Sequence, residues 1–310
     1  MAKQSQHWAR MGETTFVGGI WLLYGIHRLT GRWFFRICLA PVVLVHWLSR
    51  PALRAASLQY LRRLHASQHV FACPPGWPQG LRHVALFAET MLDKLLAMAG
   101  RYPLDRVNRH GREAVNRAVS SGAGGIIITA HLGCLELCRT MADSHARLKL
   151  NVLVHTRHAQ AFNQLLHRLN PAGAVTLIEV SEIGPPMAML LADKVAAGEF
   201  VAIAGDRIPV TQSKTVTVGF LGHPAPFPVG AYVLASLLKC PLYLMACVHE
   251  TRGYGVYFET LAERVVLPRA DREAALQMQA RQFVEALTAL LRRAPYDWFN
   301  FFPFWDQGSD

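Results

Sequence analysis

The stretch Ile-Thr-Ala-His-Leu-Gly-Cys-Leu-Glu, residues 128–136, ends an apolar run on His131 and places Glu136 five residues later. An imidazole is the side chain best suited to take a proton near neutral pH. It works best with a carboxylate that fixes its tautomer and stabilises the imidazolium. Five residues is not one helical face, but His131 just outside a helix could be brought towards Glu136 by a tight turn at Gly133. The same spacing also suits a capping or core histidine beside a solvated glutamate. Arg157 and Arg207 are of the type that binds phosphate or carboxylate on a substrate. Asp206 suits a sugar hydroxyl or Arg207 itself. Each of these three reads equally well as part of a surface salt bridge.

Other constellations are missing from the sequence. There is no Gly-x-Ser-x-Gly elbow, Gly-rich phosphate loop or His-Glu-x-x-His pattern. A base at His131 would then act directly on a substrate hydroxyl or amine, in a transfer between two bound substrates without a covalent enzyme intermediate. The six cysteines are scattered, with no Cys-x-x-Cys spacing, and read as reduced core thiols. Cys134 and Cys138 would share one helical face, which fits core packing better than a metal pair. No metal and no bound cofactor are expected.

These residues need elements to hold them. Apolar strands are expected at 125–130, 150–155, 174–180 and 199–205, alternating with helices over about 133–146, 159–169 and 185–197. A shorter strand and turn at 214–222 and a helix at 229–239 precede strands at 242–249 and 254–261. Helices are also expected at 56–66, 81–100 and 271–293. Continuous apolar strands alternating with helices indicate an α/β fold with a largely parallel mixed sheet flanked by helices. In such sheets functional groups gather at the carboxyl ends of strands. His131, the trio His155-Thr156-Arg157 and the trio Gly205-Asp206-Arg207 all fall there.

The first 65 residues hold nine Lys and Arg against one acid, in a chain of net charge +11. Two apolar stretches, 15–26 and 33–48, flank the polar segment His-Arg-Leu-Thr-Gly-Arg. Each is shorter than the ~20 residues that cross a bilayer. A pair of helices lying in one leaflet fits best, with arginines and tryptophans at the headgroups. Packing on a soluble core, or one tilted span over 33–54, are the other readings. Residues 1–66 are thus expected as a basic, apolar, membrane-associating segment, and 67–310 as the α/β core. Anionic lipid is the expected partner of the basic face. Nucleic acid is not, since no pattern for it occurs.

Five segments together resemble the bacterial lipid A late acyltransferase family, within the lysophospholipid acyltransferase superfamily. They are the basic apolar N-terminus, AHLGCLE, HTRHAQAFNQLLHRLN, AGDRIPV and the tail PYDWFNFFPFW. The resemblance implies a glycerolipid acyltransferase-like fold and a His-x-x-x-x-Asp/Glu motif. On it His131 is the base and Glu136 its partner, and Arg157, Asp206 and Arg207 belong to substrate-binding blocks. It also implies a monotopic or single-span enzyme on the cytoplasmic face of the inner membrane. The acyl donor would be a thioester of acyl carrier protein or coenzyme A, and the acceptor a hydroxyl on a lipid-like molecule. The opening HWARMGE, GDRIPV and YDWFNFFPFW are similar to acyltransferases of aryl polyene and xanthomonadin-type pigment biosynthesis. The alternatives are a lipid A or lysophospholipid acceptor, and a non-catalytic membrane adaptor of a synthase complex.

Overall fold

The computed structural model describes residues 17–138, 140–141, 148–154, 175–179, 184–208 and 214–306. The expected helix at 159–169 and the trio His155-Thr156-Arg157 lie outside them. The chain is α/β, and its main sheet has seven strands. In chain order these are β1 (Val107–His110), β2 (Gly125–Thr129), β3 (Leu150–Val154), β4 (Val175–Glu179), β5 (Phe200–Ala204), β8 (Leu242–Glu250) and β9 (Gly253–Ala262). The spatial order is β1-β9-β8-β2-β5-β3-β4. Within this sheet, among the described residues, only the β8–β9 pair is antiparallel.

The central strand is β2, and its sequence explains why. Gly-Ile-Ile-Ile-Thr buries both faces at once, as a strand covered on both sides must. Ile126 and Ile128 enter one core with Leu234, Phe283 and Leu287; Ile127 enters the other with Val115, Phe200 and Tyr243. Helices α6 (Gly230–Leu238) and α7 (Arg272–Arg293) cover the first face, and α3 (Trp77–Met98) and α4 (Arg112–Ser120) the second. Helix α5 (Pro185–Ala196) packs beside β5.

A separate hairpin pairs β6 (Thr215–Phe220) with β7 (His223–Pro228). Only β6 was expected. The second strand is His-Pro-Ala-Pro-Phe-Pro, whose alternate prolines disguise it. They are tolerated because the hairpin has only two strands, so one edge of β7 needs no N–H donors.

The N-terminal segment forms α1 (Val17–Ser49), broken at Gly31, whose φ of 82° lies outside the helical region. The two stretches expected as separate helices therefore meet at the polar segment. In the second half Phe35, Leu39, Val43 and Trp47 recur every four residues and pack into the core against α3. The opposite face leaves Trp33, Phe34, Ile37, Val42, Val45 and Leu48 exposed. His27–Ser49 is long and apolar enough to cross a membrane by length and composition. Helix α2 (Pro51–Gln68) follows, and its Tyr60, Leu61 and Leu64 share the core of the sheet.

Candidate active site

Strand register builds the site. β2 and β5 run parallel with Thr129 opposite Ala204. Two residues beyond each strand end stand His131 and Asp206, so the ladder delivers them side by side. The backbone bond from the Gly205 N–H to the Thr129 carbonyl, 2.8 Å, carries the pairing past the strand ends. Gly205 has no room for a side chain, because a Cβ there would collide with Ile128.

His131 Nδ1 lies 2.7 Å from Asp206 Oδ1, and the His131 backbone N–H donates to Oδ2 at 2.9 Å. The same Oδ2 accepts from Trp298 Nε1 at 2.9 Å and from Asn300 Nδ2 at 2.8 Å. Asp206 is fully buried. Burial works against its charge, but His131, Arg207 and the hydrogen bonds outweigh it and hold the carboxyl well below the usual range. An ionised carboxylate only accepts, so Nδ1 must carry the proton and Nε2 the lone pair. The His131 side chain is one-third exposed, at 33%. Burial depresses its pKa, Asp206 pulls the other way, and Arg207 and Lys94 add to the depression; the balance is below 6.5. The imidazole is thus neutral at neutral pH, which a base requires.

Glu136 does not hold His131. It sits in a short 3-10 turn, Leu135–Cys138, where a longer helix was expected. Its Oε1 lies 3.4 Å from Lys94 Nζ, and its Oε2 accepts from Cys134 Sγ at 3.7 Å. Burial is the largest single effect on Lys94 and opposes its charge, but the charge and hydrogen bond of Glu136, together with Cys134, leave its pKa above the ordinary value. Gly133 has φ of 45°, and a Cβ there would strike the Cys247 carbonyl. The chain therefore turns sharply after His131, but the turn leads Glu136 to α3 and not back to the imidazole.

Arg207 is turned towards the C-terminal tail. Its Nε donates to Asn300 Oδ1 at 2.9 Å and its Nη2 to the Phe299 carbonyl at 3.2 Å. Asn300 thereby bridges Arg207 and Asp206. The tail crosses the site as a strap. Phe299 N–H donates to the His131 carbonyl at 2.9 Å, and Gly133 N–H to the Asp297 carbonyl at 3.0 Å. Leu132 and Trp298 form an antiparallel bridge. From α3, the fully buried His83 places Nε2 3.0 Å from the Trp298 carbonyl and Nδ1 2.9 Å from Ser57 Oγ. A carbonyl only accepts, so His83 carries its proton on Nε2 and Ser57 donates to Nδ1.

Of the residues expected from the sequence, the structure brings His131 and Asp206 together; Trp298, Asn300, Lys94 and His83 were not among those expected. The available signal was polar residues embedded in apolar stretches: Asp297 and Asn300 in an aromatic tail, His83 and Lys94 on an apolar helix. Arg157 is outside the described residues. All six cysteines are free thiols, and Cys134 and Cys138 are both buried. Among the described residues no three His, Cys, Asp or Glu side chains are grouped to hold a metal ion.

The model of the family described as bacterial lipid A biosynthesis acyltransferase matches residues 82–307. No curated protein matches the chain.

Proposed function

The chain belongs to the bacterial lipid A biosynthesis acyltransferase family, and from that premise we propose that His131 and Asp206 are the working pair of its transfer reaction. The single observation that carries this is the clamp on Asp206. One buried carboxylate takes four donors, two of them from His131, and leaves Nε2 unprotonated and reachable.

The donor is an acyl thioester, on acyl carrier protein or coenzyme A, and the acceptor a hydroxyl on a lipid-like molecule. His131 Nε2 takes the hydroxyl proton as the oxygen attacks the thioester carbonyl. Asp206 stabilises the imidazolium through Nδ1–H. The tetrahedral oxyanion collapses, the C–S bond breaks, and the departing sulfur takes the proton from Nε2. The oxyanion needs a positive or N–H donor; this reading assigns that role to Lys94, the cation held 3.4 Å from Glu136, five residues beyond His131. Glu136, the acid of the His-x-x-x-x-Glu motif, holds Lys94 in this scheme. Arg207 acts through Asn300, as a positioning residue for Asp206. Arg157 keeps its place in the proposal as a substrate-binding residue.

The apolar helix α1 supports membrane attachment. Its inner face packs on α3 while Trp33, Phe34, Val42, Val45 and Leu48 face outward, a monotopic arrangement in which arginines reach the headgroups. The proposed setting is the cytoplasmic face of the inner membrane, where carrier thioesters are available. The family match favours a lipid A-type acceptor; the resemblance to aryl polyene enzymes favours a pigment lipid. The tail does not separate them by contact, since Trp298, Phe302, Phe304 and Trp305 are core residues.

The test is acyl transfer by the purified full chain, with thiol release and acyl-product formation measured together, alongside lipid and pigment profiles of a deletion strain. His131→Ala should lose both products while remaining folded. Full transfer by His131→Ala would sink the mechanism, and full complementation by it would favour the adaptor reading.

A further inference from the structure

A second histidine–aspartate pair stands at the same edge of the sheet. His249, near the end of β8, places Nδ1 2.8 Å from Asp297 Oδ1, and its backbone N–H donates to Asp297 Oδ2. The clamp is the one His131 makes to Asp206, repeated one strand over. A carboxylate only accepts, so facing Asp297 Oδ1 the Nδ1 carries the proton here too, and Nε2 is left for something outside the pair.

His249 lines a cleft of about 780 Å³, between α3, the β8–β9 turn and the end of α7. Arg82, Arg252 and Arg293 enter this cleft from those three elements, and all three are exposed. Two carboxylates are present, and both are already occupied. Glu250 accepts from Asn108 at 2.6 Å, Tyr257 at 2.7 Å and His110 Nε2 at 2.8 Å. Asp297 is held by His249. Among the described residues none of the three arginines makes an ion pair with an acid. Arg82 instead lies over the Tyr296 ring at 4.8 Å, and Arg293 over Tyr257 at 5.7 Å. The rings hold the guanidiniums without neutralising them, and the planar fork of each keeps N–H groups to offer.

We propose that this cleft is a binding site for a phosphate ester, with Arg82, Arg252 and Arg293 as its positive wall and His249 as the polar group on its floor. Three unneutralised guanidiniums around one concavity match a group with several anionic oxygens, and Arg recognises phosphate through two parallel hydrogen bonds. A neighbouring cleft shares Leu86 and residues 249–252 and is bounded by Arg32 and Arg36 of α1, the helix with the exposed apolar face. There the charges are balanced, by Asp93 and Glu89. The phosphate could therefore arrive on a membrane lipid whose chains lie along α1, or on a soluble ester. The site is separate from His131 and does not depend on the role assigned to it.

The full chain in detergent, titrated with inorganic phosphate at constant ionic strength, should show saturable binding by calorimetry. The double variant Arg82→Gln/Arg293→Gln should bind at least about tenfold more weakly, and His131→Ala should bind as wild type does. Absence of saturable binding, or equal binding by the double variant, overturns the proposal. Should the double variant fail to fold, Arg252→Gln on the exposed turn takes its place. Flotation with phosphatidylglycerol vesicles then identifies the source, with Arg269→Gln/Arg272→Gln as a control for net charge. Competition by phosphate, together with a loss larger than in that control, assigns a lipid headgroup. Arg-dependent phosphate binding with flotation equal to the control assigns a soluble ester.

Discussion

His131–Asp206 and His249–Asp297 are the same device in two settings. In each, the histidine backbone N–H and Nδ1 donate to the two oxygens of one buried aspartate. Strap residues 297–300 serve both, since Asp297 faces one histidine while Trp298 and Asn300 hold the acid of the other. The difference lies around the pairs. Asp206 takes two further donors, and Arg207 bonds back to one of them, so the first acid is fixed within a network. Among the described residues the second pair has no such network, and it faces three arginines. On the proposed roles, a histidine–aspartate pair is not a catalytic site by itself. What surrounds Nε2 decides whether the imidazole meets a reacting hydroxyl or a bound anion.

The sharpest break of this comparison is to remove each imidazole. His131→Ala should lower acyl transfer by about 10³-fold, within the range expected for a lost general base. His249→Ala should keep its turnover number within about threefold of wild type. Equal losses in the two variants would mean that the pairs form one functional unit. A loss only in His249→Ala would exchange their roles.

Asp206→Asn tests the network next. The amide presents N–H₂ or carbonyl to four donors, so at least one of them loses its acceptor, and the His131 tautomer is no longer fixed. Turnover should fall by about 10²-fold or more. Chemical unfolding should show a loss of roughly 3 kcal/mol from broken buried hydrogen bonds. Asp297→Asn should cost stability in the same direction but leave turnover nearly intact.

What could be read from the sequence follows the range of the interactions. Ile126–Ile128 announced a buried strand because burial on both faces is a local pattern, and so His131 at its end was visible. Asp206 was visible as a strand-end acid, but its partner was not. The neighbour relation of β2 and β5 is a tertiary fact between residues 75 apart, and only the register of Thr129 on Ala204 makes it. Glu136, nearest in sequence, was the natural candidate; the left-handed turn at Gly133 and the attraction of Lys94 took it elsewhere. Trp298 and Asn300 are more distant still, 92 and 94 residues from Asp206. The break in α1 was legible because the glycine and the polar residues sit together, whereas β7 was not, since alternate prolines argue against a strand wherever its edge is unknown.

His83 ties α3 to the strap that both pairs share, and it makes acid a probe of the strap. Its pKa in the folded chain is lowered to about 4, chiefly by burial, with the Trp298 carbonyl pulling the other way. The unfolded chain takes up this proton near pH 6.5, but the folded chain does not until about pH 4. The unfolded state binds more protons across that window, so stability falls as pH drops through it and levels below it. The loss is roughly 3 kcal/mol. His83→Gln has no proton to take up, and urea unfolding between pH 7 and pH 4.5 should show a flatter decline. The Asp206 contribution has the same sign but is lost only below pH 3.8, where the unfolded carboxyl is protonated. An equally steep decline in His83→Gln between pH 7 and pH 4.5 would place the acid sensitivity elsewhere, for instance at His131.

The smallest expected effect discriminates most finely between the pairs. Trp298→Phe keeps an aromatic ring in the core but removes one of the two donors to Asp206 that lie outside His131. The remaining three still fix the carboxylate, so stability should fall by only about 1–2 kcal/mol and turnover by about three- to tenfold. The pH profile carries the sign. With fewer donors sharing its charge, Asp206 attracts the imidazolium more strongly, which raises the His131 pKa. In wild type, kcat/KM should rise with pH through a value below 6.5 and then stay level, because the base must be neutral. In Trp298→Phe that rise should move to higher pH. An unmoved profile with reduced turnover would mean that the indole only packs the strap. A profile that moved equally in His249→Ala would show that the strap couples the two imidazoles.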